Sequence, residues 1–302
     1  MSVKTVTAFV NGQTYNLTFD STSGTYAATI TAPSKSSYNN AGHYYPVKIT
    51  ATDTAGNSKT IDDTDSSLGN SLKLKVKEKT APVISVTAPT AGALITNNKP
   101  AITWKVTDDD SGVNPDTIGI TIDSGSKITS GITKTAITNG YSCSYTPSTA
   151  LSDGSHTLKF DASDNDGNAA SQVSRTFKID TVPPTLSVTT PTSNMVTNQA
   201  SITVSGITND ATSSPVTVTV KLNSGSAQSV SVGSDGSFSK SITLVEGTNT
   251  ITVVATDGAG KSTTVTRTVT LDTVAPTFNS VTITPNPVDA GQTFIITVKV
   301  SD

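Results

Sequence analysis

Polar and apolar residues alternate along most of this chain, and the period of two recurs from one end to the other. That period belongs to a strand with one buried face, so the chain reads as all-β. Three segments repeat one pattern. Residues 47–57 run as an alternating strand into Asp53, Gly56 and Asn57; residues 158–168 do the same into Asp164, Gly167 and Asn168; residues 251–261 end in Asp257, Gly260 and Lys261. An alternating strand, then Asp-x-x-Gly, then another alternating strand predicts a hairpin. The Asp side chain accepts from turn amides and the Gly takes a positive φ.

Behind each repeat comes a second mark: Lys79-Thr-Ala-Pro82, Asp180-Thr-Val-Pro-Pro184 and Asp272-Thr-Val-Ala-Pro276. Proline stiffens an extended segment and donates nothing to a ladder, so these are boundaries. The intervals from Pro82 to Pro184 and from Pro184 to Pro276 each match the size of an immunoglobulin-like sandwich, about 100 residues in roughly seven short strands. The predicted fold is tandem immunoglobulin-like β-sandwiches in an elongated array, divided as 1–79, 80–182, 183–274 and a two-stranded partial repeat at 275–302. Early strands also correspond: Ile84-Ser-Val86 and Ala101 to Val106 match Leu186-Ser-Val188 and the strand from Ser201. Trp104 and Val204 fall on the inward parity and are assigned to the core. The first segment is divergent and rich in tyrosine, with a hairpin predicted at Asn11-Gly12.

Composition sharpens this picture. The chain has 56 Thr and 40 Ser, against 5% aromatic and 14% charged residues. Thr favours strands and Ser favours turns, and long helices are excluded. A net charge of −3 argues against a nucleic-acid partner, which requires clustered Lys and Arg. No apolar run is long enough to offer a membrane-spanning helix, and no membrane insertion is expected. The start of the chain alternates at once and does not read as a secretory signal, so export by the general secretory route is not expected. The single cysteine, Cys143, excludes an intrachain disulfide and reads as a buried, inert thiol between Tyr141 and Tyr145.

Candidate chemistry is thin. Two histidines, His43 and His156, sit in turn and strand-entry contexts with no nucleophile elbow beside them, and both read as solvated. The chain is read as no enzyme and as requiring no cofactor. Calcium is the one candidate metal, through Asp108, Asp109, Asp110, Asp164 and Asp166, because only the 80–182 segment adds acids beyond those its turn requires. By the same reasoning Asp53 and Asp257 are turn formers alone. The loop holding Tyr38, His43, Tyr44 and Tyr45 is a candidate surface for a protein or glycan partner, since aromatic faces with amides hold sugars and tyrosine is enriched at interfaces. At the end of the chain Phe294, Ile296, Val298 and Val300 form one apolar face. That face predicts strand addition to another subunit in a homo- or hetero-oligomer.

The Ala-(Thr/Ser)-Asp-x-x-Gly-(Asn/Lys) hairpin followed by the Pro-ended linker resembles the bacterial immunoglobulin-like repeats of surface adhesins and cell-wall proteins. The likeness covers residues 80–275. The first segment, through Val10 to Asp20, Ala32-Pro33, Tyr38-Asn-Asn, Gly42-His43 and Ala51 to Asn57, is similar to immunoglobulin-like proteins of phages and prophages of Gram-positive gut bacteria, as is Ser280 to Val288. This resemblance implies a virion protein of the tail, fibre or baseplate, assembled in the host cytoplasm, whose partners are other tail proteins and a host-surface glycan or protein. The alternatives are a bacterial cell-surface adhesin or stalk, and an accessory module of a polysaccharide hydrolase.

Overall fold

The computed structural model describes residues 2–302, which divide into two compact units, one ending at Ile179 and the other running from Asp180 to Asp302. The first unit opens with β1 (Val3–Val10), β2 (Gln13–Asp20), β3 (Thr25–Ala27), β4 (Tyr45–Asp53), β5 (Ser58–Ile61) and β6 (Lys73–Leu74). β1 and β2 are joined by the two-residue turn read from the sequence: Val10 pairs with Gln13, and Asn11 and Gly12 take φ of 48° and 77°. These six strands form one antiparallel sheet ordered β3-β2-β1-β4-β5, with β6 on β4. A single sheet stands where a divergent sandwich was expected. The reason is visible in burial: Ala8, Val10 and Leu72 are its only buried apolar side chains among the described residues, while Phe9 and Phe19 are exposed.

Residues 83–179 form a two-sheet sandwich. One sheet is β11 (Thr133–Ile137), β12 (Gly140–Tyr145), β9 (Ile102–Thr107) and β7 (Val83–Ala88). The other is β10 (Val113–Ile122), β13 (Gly154–Asp164), β14 (Val173–Ile179) and β8 (Leu94–Ile95). Between them lies a core of Ile102, Trp104, Val106, Ile118, Ile120, Leu158, Phe160, Phe177 and Ile179, all at most 1% exposed. Trp104 meets Phe160 at 5.1 Å between ring centroids. Cys143 is buried in the same cluster beside Tyr141 and Tyr145, as its parity predicted.

The second unit repeats the plan. β15 (Thr185–Thr190), β17 (Ser201–Asn209) and β20 (Ser237–Thr243) face β16 (Met195–Thr197), β22 (Ser262–Leu271), β21 (Gly247–Thr256), β18 (Thr217–Leu222) and β19 (Gln228–Val230) across a core of Val204, Val218, Phe238, Ile251, Val253 and Val269. In both sandwiches the opening segment changes sheets: β7 and β15 pair antiparallel on one side, while β8 and β16 pair parallel on the other. An arginine ties this arrangement in each. Arg175 on β14 donates to the Val86 carbonyl at 3.4 Å, and Arg267 on β22 donates to that of Val188 at 3.1 Å. The unit ends in a two-stranded sheet, β23 (Thr277–Thr284) on β24 (Ile295–Ser301).

The repeated Asp-x-x-Gly turns form as read. Gly56, Gly167 and Gly260 take φ of 91°, 96° and 85°. Asp53, Asp164 and Asp257 each accept, through Oδ1, the amide four residues on, at 2.8, 2.7 and 2.8 Å.

Candidate functional site: the acidic poles and the tyrosine loop

The five acids assigned to calcium do not act as one set. Asp108 and Asp164 are buried at 5% and 1% exposure and come together, whereas Asp109 is exposed. Asp110 turns to the tyrosine loop: it accepts the Ser36 amide at 3.0 Å, lies 3.9 Å from the Lys35 ammonium, and its carbonyl accepts from the Asn39 side chain. Asp166 accepts the Glu78 amide at 3.0 Å, and its carbonyl takes the Lys77 ammonium at 3.0 Å. The third partner of Asp108 and Asp164 is Glu78, with one oxygen from each of the three within 4.8 Å of the others. Glu78 is held by the Ser111 amide at 2.6 Å. Burial, then the nearby charges of Asp108 and Asp110, push its carboxyl above the ordinary glutamate range against the pull of that hydrogen bond. Ser111 is itself fully buried, and its hydroxyl has no hydrogen-bond partner.

The second unit carries a cluster that the sequence reading passed over. Asp180, Asp210 and Asp257 are 0%, 9% and 6% exposed, and an oxygen from each lies within 4.8 Å of the others. Asp257 closes its turn through Oδ1 as read, and it also meets two acids from outside that turn, its Oδ2 being buried with no partner. The legible signal was spacing. The interval from Glu78 to Asp108 equals that from Asp180 to Asp210, and the third acid is the Asp of the repeated turn.

The tyrosine loop lies against the acidic loops of the same unit. His43 is exposed and stacks on half-buried Tyr38 at 4.4 Å between centroids. Tyr44 is spoken for internally: its hydroxyl donates to Asp63 at 2.6 Å and Lys73 lies over its ring at 5.4 Å. The hydrogen bond to Asp63 raises the Tyr44 phenol above its ordinary value. Tyr45 donates to the Lys35 carbonyl at 3.2 Å. What the loop leaves open is a cleft of about 170 Å³ lined by Tyr38, His43, Lys77, Asn165 and Asp166 among others. Two candidate sites read separately from the sequence thus meet on one surface.

His156 is not solvated. It is 5% exposed, with Nδ1 2.8 Å from Asp123 Oδ2 and Nε2 2.8 Å from the Ser152 carbonyl, so both ring nitrogens are engaged. Cys143 is inert by environment, since burial pushes its thiol up to about 11. Phe294, Ile296, Val298 and Val300 are all exposed, and Ile296, Val298 and Val300 pair across to Ile283, Val281 and Phe278, exposed in turn.

Comparisons with known proteins agree with the fold. Residues 87–181 match the bacterial Ig-like domain family, and residues 184–273 match the family described as glucodextranase, domain B. Tandem immunoglobulin-like sandwiches are what this chain contains. No curated protein matches it. Among solved structures it is similar to the fibronectin(III)-like modules of Clostridium thermocellum CbhA (19% identity, 63% of this chain and 94% of that one, TM-score 0.33). It is also similar to titin domains A168–A170 (12%, 87% and 86%, 0.40). Against Sidekick-1 immunoglobulin domains 1–5 it spans 60% of that chain's length (12%, 99% of this chain, 0.41).

Proposed function

We propose that this chain is a non-enzymatic structural and adhesive protein of a phage particle, in the tail, fibre or baseplate, where it meets a host-surface glycan or protein or a neighbouring tail protein. The observation that carries the contact role is the joint surface of the first unit, where exposed His43 and half-buried Tyr38 stand beside Asn165 and Asp166 around one cleft. Stacked rings beside amide and carboxylate groups suit a sugar's apolar face and hydroxyls. The non-catalytic reading is supported by how the reactive groups are used: both nitrogens of His156 are tied up, and the Cys143 thiol is buried and protonated. The virion assignment rests on the resemblance of residues 10–57 and 280–288.

Mass spectrometry of purified particles tests the placement: the polypeptide is expected in stoichiometric amount, and particles without it overturn the assignment. Tyr38→Ala with His43→Ala is expected to weaken binding to host cells at least tenfold without changing the melting temperature, because neither side chain belongs to a buried core. A second reading is favoured by the match of residues 184–273 to glucodextranase domain B: an accessory module of a polysaccharide-acting enzyme. A catalytic domain in the same reading frame would select it.

A further inference from the structure

Both sandwiches carry three acids at equivalent places. The first precedes the opening strand (Glu78 before β7, Asp180 before β15). The second follows at the same interval in both, at the end of the paired strand (Asp108 after β9, Asp210 after β17). The third begins the Asp-x-x-Gly turn (Asp164, Asp257). Each set draws three carboxylates within 4.8 Å of one another. Buried carboxylates drawn that close repel one another unless a cation lies between them.

In the second unit Asp180 accepts the Val182 amide at 3.2 Å through Oδ1 and the Ser213 hydroxyl through Oδ2, Asp210 Oδ1 accepts the amides of Thr212 and Ser213 at 2.8 and 2.7 Å, and Asp257 Oδ1 accepts that of Lys261 at 2.8 Å. Among the described residues no Lys, Arg or His side chain forms an ion pair with any of the three. Asp257 Oδ2 is left buried with no hydrogen-bond partner, a position a native fold seldom leaves empty. The first unit repeats the feature with the fully buried, unpartnered Ser111 hydroxyl beside Glu78.

We propose that Asp180, Asp210 and Asp257 bind a calcium ion, and that Glu78, Asp108 and Asp164 form the counterpart in the preceding sandwich. The donor set is oxygen alone, carboxylate and hydroxyl, which is the chemistry of a hard cation; nitrogen and sulfur donors for zinc are absent from both sets. The inference does not depend on the proposed virion role. Asp109, Asp110 and Asp166 are not ligands in this assignment, because Asp110 and Asp166 are spent on the tyrosine loop and the linker, and Asp109 faces solvent.

The test uses the full chain, stripped with a chelator and titrated calorimetrically with calcium chloride. Two equivalents are expected to bind, and about 100-fold excess over Kd is expected to raise the melting temperature by roughly 10 °C. Asp257→Asn and Asp210→Asn are each expected to lose one equivalent, and Asp164→Asn to lose the other. Asn keeps an acceptor for the turn amide while removing a repelling charge, so stripped Asp257→Asn is expected to melt no lower than the stripped wild type. Absence of binding heat and of a melting shift at millimolar calcium overturns the proposal, as does an Asp257→Asn or Asp210→Asn chain that still binds as many equivalents as the wild type.

Discussion

The sequence matched Trp104 to Val204, but strand pairing moves the match by two residues: Trp104 lies opposite Val86 and Gly206 opposite Val188, each four residues before the acid that follows its strand, and the two solve one packing problem in opposite ways. In the first unit the indole itself fills the space between the sheets. In the second, a Cβ on Gly206 would stand 2.1 Å from the Ser187 carbonyl and 2.6 Å from the Phe238 ring, so Phe238 supplies the volume instead. Gly206→Ala is expected to cost roughly 1–3 kcal/mol in a denaturant titration. Trp104→Ala is expected to cost about 3–5 kcal/mol through the cavity it leaves. Trp104→Phe is expected to cost less, because the indole N–H is buried without a partner and its loss exposes no unmet group.

His156 makes a pH prediction at the same scale. Burial lowers its pKa, but the Ser152 carbonyl and then Asp123 outweigh that, and the net shift is upward from 6.5. A raised folded pKa stabilises most below the unfolded value, and the contribution fades as pH rises through the folded one. The first unit is therefore expected to melt higher at pH 6 than at pH 8.5, and His156→Gln to flatten that difference. Its burial was not legible because Asp153-Gly-Ser-His reads as a turn. Its partner Asp123 lies 33 residues away on the β10 turn, and sequence order held no sign of that meeting.

At the scale of elements, strand parity was legible wherever two sheets share a core and misleading where they do not. Ile102, Trp104 and Val106 alternate and are buried; Phe9 alternates and is exposed, because the first sheet has no facing sheet to receive it. The acid clusters were half legible: the Asp-x-x-Gly turn marks one ligand in three, but the other two come from a linker and a strand end, and only folding brings them to it. The same spacing illuminates the last hairpin. The interval from Asp272 to Asp302 again equals that from Asp180 to Asp210. The positions two, four and six before Asp302 are Val300, Val298 and Ile296, where the sandwiches place Val106, Trp104 and Ile102, and Thr208, Gly206 and Val204. β23–β24 is thus the opening of a further sandwich in pattern, with its inward face 45–56% exposed at these three residues. A two-stranded sheet with such a face is marginal by itself. The surface that fits it is the remaining strands of an immunoglobulin-like sandwich. Sedimentation velocity is expected to show concentration-dependent association of residues 1–302 that is lost on deleting 276–302 or in Ile296→Lys with Val298→Lys.

At the scale of the whole molecule, each unit closes its own apolar core: one runs from Ile84 to Ile179, the other from Val188 to Leu271, and the two share no residue. Cooperativity follows shared burial, so calorimetry is expected to resolve two transitions rather than one. The only tryptophan is Trp104, and its emission is expected to follow the first unit's transition alone. Substitutions separate them further. Phe160→Ala removes a fully buried ring from the first core and is expected to lower only the fluorescence-detected transition, while Val253→Ala, also fully buried, is expected to lower only the other. Calcium gives an independent handle, since Asp257→Asn should uncouple the second transition from the ion and leave the first responsive. A single transition that moves as a whole with Phe160→Ala and with Val253→Ala alike would mean that the two cores fold as one unit.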